Sequence, residues 1–333
     1  MKRQPSEYSL VLAVDKPTGL SSHDVVNRVR RIFGERRVGH TGTLDPLASG
    51  VLVVCVGPAA RLDNYLVDHD KRYEVLIRLG VETETDDALG QVIRRASAPE
   101  QAFDPAFAAR FLQRFEGPQS QMPPLYSAIK VDGVKACDVA RKGRVLQLQP
   151  RPVDIYSLEL LAVEEDEGGV AWRVRCHVSK GTYIRSLARD IGAALGCGGS
   201  VEQLRRLAVG NLDVGSCVTL EQLEGCREAV AIDPLALLGK RFLFADEHQE
   251  KSLANGGKLS AKSSLYEFNG NPFSEMVCAC MPRIRPSVAP LADGEVVGVA
   301  CDGLLRALYR FDPAKGALVP DCVFSKGVLR GHC

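Results

Sequence analysis

The sequence lacks long apolar runs and paired cysteines. No segment approaches the roughly 18 consecutive apolar residues of a membrane-spanning helix, and the run at residues 10–14 is too short for a signal peptide. The 11 cysteines include no CxxC pair, and none of the six histidines stands at metal-ligand spacing to a cysteine. We therefore expect a cytoplasmic protein with reduced thiols, and neither a disulfide framework nor a structural metal.

Nucleotide-binding and metalloprotease motifs are also missing: the chain has no GxxxxGK[ST] loop, no GxGxxG loop and no HExxH pair. Charge of one sign is not in excess either, because 42 basic residues face 41 acidic ones and the formal net charge is +1. Any surface for a polyanion must then be local. We expect no metal and no cofactor.

The apolar patterns predict an α+β fold. Residues 9–14 and 50–57 form apolar runs typical of buried strands, and Tyr73, Val75, Ile77 and Leu79 alternate along a third strand. A helix is predicted over residues 22–33, capped by Ser22, and another over residues 183–195. We expect a large mixed or antiparallel sheet flanked by helices.

The composition changes after about residue 240, where Gly, Ser and Pro become frequent. The segment EVVGVACDGLLRALYRF predicts a hairpin that turns at Asp302 and Gly303. We therefore expect a domain over residues 1–235 and a small β domain over residues 240–333.

The densest polar signal is RRVGHTGTLDPLASGVLVVCVG, which contains Asp45. One interpretation is structural: Asp followed by Pro is a natural helix start, with Asp45 as N-cap and Pro46 at the first helical position. This does not explain why His40 and glycines 39, 42 and 50 crowd the same turn, which suits a backbone that something approaches closely. The two interpretations are compatible.

Arg185 lies in the first turn of its predicted helix, where the macrodipole disfavours a cation by about 0.3–1 kcal/mol. An anionic partner would offset that cost, and it could be a carboxylate, a phosphate, or each in turn. The alternative is a solvated arginine whose alkyl stem packs on the sheet.

Basic residues cluster in two places. Residues 28–40 carry arginines 28, 30, 31, 36 and 37 against Glu35, and residues 135–151 carry Lys135, Arg141, Lys142, Arg144 and Arg151 against Asp138. Each run could be a solvated face, but two such runs beside a glycine-rich polar turn favour a phosphate backbone as partner. The residues thus indicate metal-free carboxylate chemistry on a polyanion and leave the reaction open.

Five blocks of the sequence resemble the TruB family of tRNA pseudouridine synthases. In chain order they are LAVDKPTGLSSHDVV, GHTGTLDPLASGVLVVCVG, KRYEVLIRLGVETETDD, QMPPLYSAIKVDG, and VSKGTYIRSLARDIG with GCGGSVEQLRRLAVG. They cover about residues 10–212. The C-terminal part resembles the family's small RNA-binding PUA-like domain more loosely.

The resemblance implies a role for each matching residue. Asp45 matches the nucleophile, Arg185 the arginine that pairs with it, and Tyr73 the tyrosine that stacks on the target uracil and handles its C5 proton. His40 matches the histidine that enters the RNA loop vacated by the flipped base. Tyr183 and Leu204 match residues of the base pocket, and Lys16 with Pro17 matches a motif under the pocket floor. Without the resemblance, the sequence predicts that Tyr73 is a core residue and that His40 forms a hydrogen bond within its turn.

The implied substrate is the T-loop uridine at tRNA position 55, gripped by an insertion near residues 119–150. The enzyme is expected to act as a monomer without a protein partner. The sequence departs from the family in VKACDVARKG, where the family usually has an aromatic residue near Cys137, and at residues 251–285.

Three other functions stay open. The chain could be a guide-RNA-dependent synthase subunit of the same superfamily, although the long segment 91–168 favours a stand-alone enzyme. It could be an RNA chaperone that refolds tRNA, with or without catalysis. A purely structural RNA-binding module would leave the polar turn around Asp45 unexplained.

Overall fold

The structure is a computed structural model that describes residues 6–127, 129–131, 134–135, 139, 148–227, 230–269, 271–273 and 284–331. Much of the predicted RNA-gripping insertion lies outside these residues, namely 128, 132–133, 136–138 and 140–147, which include Cys137, Arg141, Lys142 and Arg144. Residues 270 and 274–283 of the divergent stretch also lie outside them. Among the described residues, no helix has the length and apolar character needed to cross a membrane.

The strands of the described chain are β1 Leu10–Lys16, β2 Val38–His40, β3 Ser49–Val56, β4 Lys71–Leu79, β5 Val81–Thr83, β6 Val92–Arg95, β7 Gly117–Gln121, β8 Lys130–Val131, β9 Val134–Lys135, β10 Arg151–Asp166, β11 Gly169–Val178, β12 Gly199–Val209, β13 Leu212–Asp213, β14 Ala231–Ile232, β15 Phe242–Phe244, β16 Leu259–Ser260, β17 Leu265–Phe268, β18 Ile284–Ser287, β19 Val296–Cys301, β20 Leu304–Asp312 and β21 Ala317–Leu329. The α-helices are α1 Ser22–Phe33, α2 Asp63–Leu66, α3 Pro105–Leu112, α4 Ile184–Ala194, α5 Leu220–Gly225, α6 Pro234–Leu238 and α7 Glu247–Ala254. Short 3₁₀ helices span Gly57–Leu62, Glu100–Phe103, Gln113–Phe115 and Val214–Ser216.

The chain divides into two compact units. The first comprises Met1–Pro46, Gly50–Asp68 and Gly210–Cys333, and the second comprises Leu47–Ser49 and His69–Val209.

In the first unit, β1 pairs antiparallel with β3 on one side and with β14 on the other. Both β1 and β3 are almost fully buried, as their apolar runs predict. The short strand β2 pairs with β3 and places His40 opposite Val54. The polar segment 41–48 therefore connects two strands that pair with each other.

Helix α1 confirms the predicted apolar stripe, since Val25, Val26, Val29 and Phe33 are buried. The predicted cap was wrong by one residue. Ser21 is the N-cap and forms a capping box with Asp24, whereas Ser22 is the first helical residue. The Ser22 hydroxyl is engaged elsewhere, with the backbone of Leu44.

The first unit also contains the small β sheet that the sequence predicts after residue 240. Its strand order is β16-β21-β20-β19-β15-β17-β18, and all neighbours are antiparallel except β15 and β19. The predicted hairpin is confirmed, because β19 and β20 are joined by Asp302 and Gly303, both with positive φ. Its core includes Leu243, Val297, Val299, Ala307 and Tyr309.

The second unit is built on the antiparallel strands β12-β4-β11-β10-β7. Side chains alternate across β4, so Tyr73, Val75 and Ile77 share one face. Cross-strand neighbours continue that face: Trp172 lies opposite Ile77, and its indole N–H donates to Ala102 O at 2.8 Å. The other face carries ion pairs, among them Arg78 with Asp166 and Glu202. One face of this sheet is therefore apolar and the other is charged.

Helix α4 confirms the predicted helix near residues 183–195 and packs on β12 and β4. It comes very close to the start of β12. A Cβ at Gly192 would lie 2.2 Å from the carbonyl carbon of Gly198, so only glycine fits there.

Candidate functional site

Asp45 lies in the first unit, in a tight polar turn between β2 and β3, and is half-buried. No helix begins there: residues 46 and 47 form a turn, so the interpretation of Asp45 as a helix cap was wrong. The residue before it is held by Ser22, whose hydroxyl donates to Leu44 O at 2.9 Å and accepts from Leu44 N at 2.8 Å. The residue after it is held by Gly19, whose N–H donates to Pro46 O at 2.8 Å. The backbone is thus fixed on both sides of the carboxylate.

Lys16 fixes the loop at residues 17–20, which contacts the Asp45 turn through Gly19. Its side chain is 0% exposed, and its ammonium donates to Pro17 O at 2.9 Å and to Leu20 O at 2.6 Å. These bonds close the loop in which Gly19 takes a φ of 84°, a conformation that favours glycine. A buried ammonium is costly unless it is well bonded, so this lysine stabilises one particular loop shape.

His40 ends β2 and is half-buried. Its Nδ1 accepts from the N–H of Gly42 at 3.4 Å, a long hydrogen bond inside the turn. This contact agrees with the role that the sequence alone suggests, a histidine that hydrogen-bonds within its turn. The role that the resemblance implies for His40, entry into the RNA loop vacated by the flipped base, stays a prediction.

Tyr73 and Leu204 lie in the second unit, on the apolar face of its sheet. Tyr73 is opposite Cys176 of β11 and Arg206 of β12, and Leu204 is opposite Val75. Both side chains are buried. The register therefore puts the predicted stacking ring and one predicted pocket residue on the same surface, two strand positions apart.

Arg185 is 5% exposed, so the interpretation as a solvated arginine was wrong. Its guanidinium donates to Thr85 O at 2.9 Å and to Tyr126 O at 3.0 Å, and it lies 3.6 Å from the Asp87 carboxylate. The predicted anionic partner of Arg185 is therefore confirmed, and it is the carboxylate of Asp87. The pairing with Asp45 that the resemblance implies stays a prediction.

Asp87 is a functional candidate that the sequence analysis missed. It lies in the acidic run ETETDD, which reads as a solvated loop, yet its side chain is buried. Its Oδ1 accepts from Thr85 Oγ1 at 2.6 Å and from Leu89 N at 3.0 Å. A buried carboxylate must be paired or hydrogen-bonded, and this one has both kinds of partner. The only signal in the sequence was its place in a block that resembles the family.

The neighbouring acid, Asp86, takes a positive φ and binds a different arginine. Its Oδ2 accepts from Arg189 at 3.1 Å. Burial raises the pKa of the Asp86 carboxyl above its ordinary value, and the nearby Arg189 and Arg185 guanidiniums oppose that rise. The loop thus supplies one carboxylate to each arginine of α4.

Tyr183 precedes the first turn of α4 and is half-buried. Its backbone N–H donates to the side-chain oxygen of Gln121 at 2.8 Å, and its carbonyl accepts from the amide of Gln121 at 3.1 Å. Of the predicted site residues, Asp45, His40 and Lys16 belong to the first unit, and Tyr73, Tyr183, Arg185 and Leu204 belong to the second.

Among the described residues, one group of donors lies close enough to hold a metal ion: Glu250, Cys301 and Asp302, whose ligand atoms fall within 4.8 Å of one another. Burial, with Glu250 beside it, raises the pKa of the Cys301 thiol to about 12.

Comparison with known proteins adds sequence relatives over most of the chain. Residues 30–184 match the model of the TruB family pseudouridylate synthase N-terminal domain, and residues 185–235 match that of the tRNA pseudouridylate synthase B C-terminal domain. The tRNA pseudouridine synthase B of Enterobacter sp. (strain 638) is 41% identical over 277 residues, which are 81% of this chain and 84% of the relative. That of Corynebacterium jeikeium (strain K411) is 49% identical over 222 residues, 64% of this chain and 70% of the relative.

Solved structures share the fold. A Cbf5-Nop10-Gar1 complex aligns with a TM-score of 0.65 at 24% identity, covering 97% of this chain and 88% of that one. An H/ACA RNP bound to a substrate RNA containing 2′-deoxyuridine aligns with a TM-score of 0.65 at 23% identity, covering 96% of this chain and 86% of that one.

Proposed function

Because this chain belongs to the TruB family of pseudouridine synthases, we propose that it isomerises the T-loop uridine at tRNA position 55 to pseudouridine, with Asp45 as nucleophile. The observation that carries the proposal is the turn around Asp45, whose backbone is fixed on both sides by Ser22 and Gly19. A nucleophile must be held at a defined position, because small displacements of a reacting group are costly in rate.

The reaction needs no redox partner, metal or cofactor. The N1–C1′ bond breaks, the uracil turns, a C5–C1′ bond forms, and the proton lost from C5 is balanced by the proton gained at N1. A carboxylate can carry the covalent intermediate. It must be ionised to do so, and the Arg185 guanidinium favours the charged form of Asp45.

The target base has to leave its loop before it can react, and such flipping costs a few kcal/mol. Tyr73 stacks on the flipped uracil, Tyr183 and Leu204 line its pocket, and His40 takes the place that the base leaves in the RNA. Lys16 supports the floor. The burial of Tyr73 and Leu204 on one apolar sheet face agrees with a pocket for a planar base.

We further propose a catalytic domain over residues 1–235, with the RNA-gripping insertion near residues 119–150, and a PUA-like domain over residues 240–333. The enzyme acts on the T-arm of tRNA as a monomer in the cytoplasm, without a protein partner. The fold similarity to Cbf5 complexes makes a partner-dependent enzyme the competing proposal.

The test is release of tritium from C5-labelled uridine in a bare tRNA transcript by the purified protein. We expect release by the wild type, no release after substitution of the T-loop uridine, and none from Asp45→Asn, whose tRNA affinity stays within about two-fold of wild type. Release by Asp45→Asn would contradict the nucleophile assignment. Release that persists without the T-loop uridine would move the target, and activity only with added protein partners would favour the competing proposal.

A further inference from the structure

Several hydrogen bonds connect the segment 121–126 to helix α4 and to Tyr183, which precedes it. Gln121 binds both backbone groups of Tyr183, and Met122 O accepts from Ser186 Oγ at 2.8 Å and from Arg189 at 2.9 Å. Residues 183, 186 and 189 are spaced by three along the chain, so they form one stripe of the helix. That stripe is covered by the chain that follows β7.

Gln121 differs from the other contacts because its side chain acts on a backbone. Its amide oxygen accepts from Tyr183 N at 2.8 Å while its amide nitrogen donates to Tyr183 O at 3.1 Å, which copies the pairing of two strands. The α4 N-cap position is held by tyrosine, which has no short side chain to cap the helix. The amide of Gln121 therefore fixes the residue at which the helix starts.

This pair of hydrogen bonds is shielded from water, because the Gln121 side chain is 3% exposed. Removing a buried partner leaves polar groups unsatisfied, which is costlier than losing an exposed hydrogen bond. Since the backbone sets the direction of the Cα–Cβ bond and restricts χ1, fixing both backbone groups of Tyr183 also restricts where its ring can point.

We infer that Gln121 is a positioning residue for the target base, acting through the backbone of Tyr183. The inference rests on the proposed function, in which the Tyr183 ring lines the base pocket. Gln121 does not itself need to contact RNA. It ties the start of the predicted RNA-gripping insertion to the wall of the pocket.

The experiment compares Gln121→Met with Gln222→Met in single-turnover assays at saturating enzyme. Gln222 is a matched control outside the proposed site: its side-chain oxygen also accepts from the backbone of a helix N-cap residue, Thr219 N at 2.8 Å, at the start of α5. We expect Gln121→Met to slow tritium release by about 10–100-fold, while its tRNA affinity and the rate of Gln222→Met stay within about two-fold of wild type.

A double-mutant cycle then separates positioning from general structure. If Gln121 acts through Tyr183, adding Gln121→Met to Tyr183→Ala causes no further loss of rate. If Gln121→Met lacks a cooperative melting transition, Gln121→Asn provides a second variant. Its side chain is one methylene shorter, so its amide does not reach the backbone of Tyr183. We expect the same loss of rate from it.

Equal rates for the two methionine variants, or additive losses in the cycle, would overturn the inference while leaving the proposed function intact. A wild-type enzyme without activity on any tRNA transcript would instead overturn the proposed function, and the inference with it.

Discussion

The backbone around Asp45 and the side chain of Arg185 are held by different kinds of contact. The residues on either side of Asp45 are held by neutral groups, the hydroxyl of Ser22 and the backbone N–H of Gly19. The Arg185 side chain is bound by the carbonyls of Thr85 and Tyr126 and by the carboxylate of Asp87. Neutral hydrogen bonds thus shape the turn, whereas the guanidinium contacts include a charged partner.

The two residues are therefore vulnerable to different substitutions. Neutral hydrogen bonds to backbone contribute about 1 kcal/mol each, so the Asp45 turn should lose order gradually as they are removed. A buried ion pair fails more abruptly, because losing one partner leaves the other charge without compensation.

The largest effect is expected for Asp87→Asn. This change removes the charge that faces Arg185 at 3.6 Å, and we expect the rate at saturating tRNA to fall about 100-fold and the unfolding free energy by about 3 kcal/mol. Single-turnover kinetics and chemical denaturation measure the two losses. The matched control is Asp86→Asn, since Asp86 pairs with Arg189 instead and asparagine tolerates its positive φ. Equal rates for the two variants would remove the special status of the Arg185 pair.

A smaller effect is expected for Ser22→Ala, which leaves both backbone groups of Leu44 without the serine hydroxyl. We expect a loss of about 10-fold in rate and about 1–2 kcal/mol in stability, because the turn that carries Asp45 loosens. Ser21→Ala is the control: it removes the helix cap at a cost of about 1 kcal/mol and should leave the rate unchanged. Thermal melts and initial rates of both variants decide the matter. A Ser21→Ala enzyme that is slower than Ser22→Ala would reverse the assignment.

The smallest effect is expected for Glu295→Gln in the small β sheet, where Arg241 binds the carboxylate at 2.6 Å. The hydrogen bond from Arg241 holds the pKa of Glu295 below its ordinary value. The pair therefore stabilises the fold fully above the unfolded glutamate pKa of about 4.3, and this stabilisation of about 1 kcal/mol disappears as the pH falls through the lower folded value. Melting temperatures of wild type and variant should differ at pH 7 and converge as the pH falls below that folded value, with no change in rate at neutral pH. A gap that grows on acidification would contradict this account.

The sequence predicts regular elements better than it predicts partners. The strands β1, β3 and β4, the helix α4 and the hairpin at Asp302 follow from apolar periodicity and turn chemistry, which are local. Ser22 was misassigned because two serines are adjacent where the helix starts, and its hydrogen bond to Leu44 joins residues 22 positions apart. Asp87 and Gln121 were missed for the same reason: their partners lie about 60 to 100 positions away, a distance that no local pattern records.

The single tryptophan of the chain, Trp172, is fully buried in the second unit, with its ring edge-on to Phe111. Its fluorescence is a built-in reporter of that unit alone. Emission that shifts to the red earlier or later than the loss of far-ultraviolet circular dichroism would reveal that the two units melt separately, without any introduced dye or label.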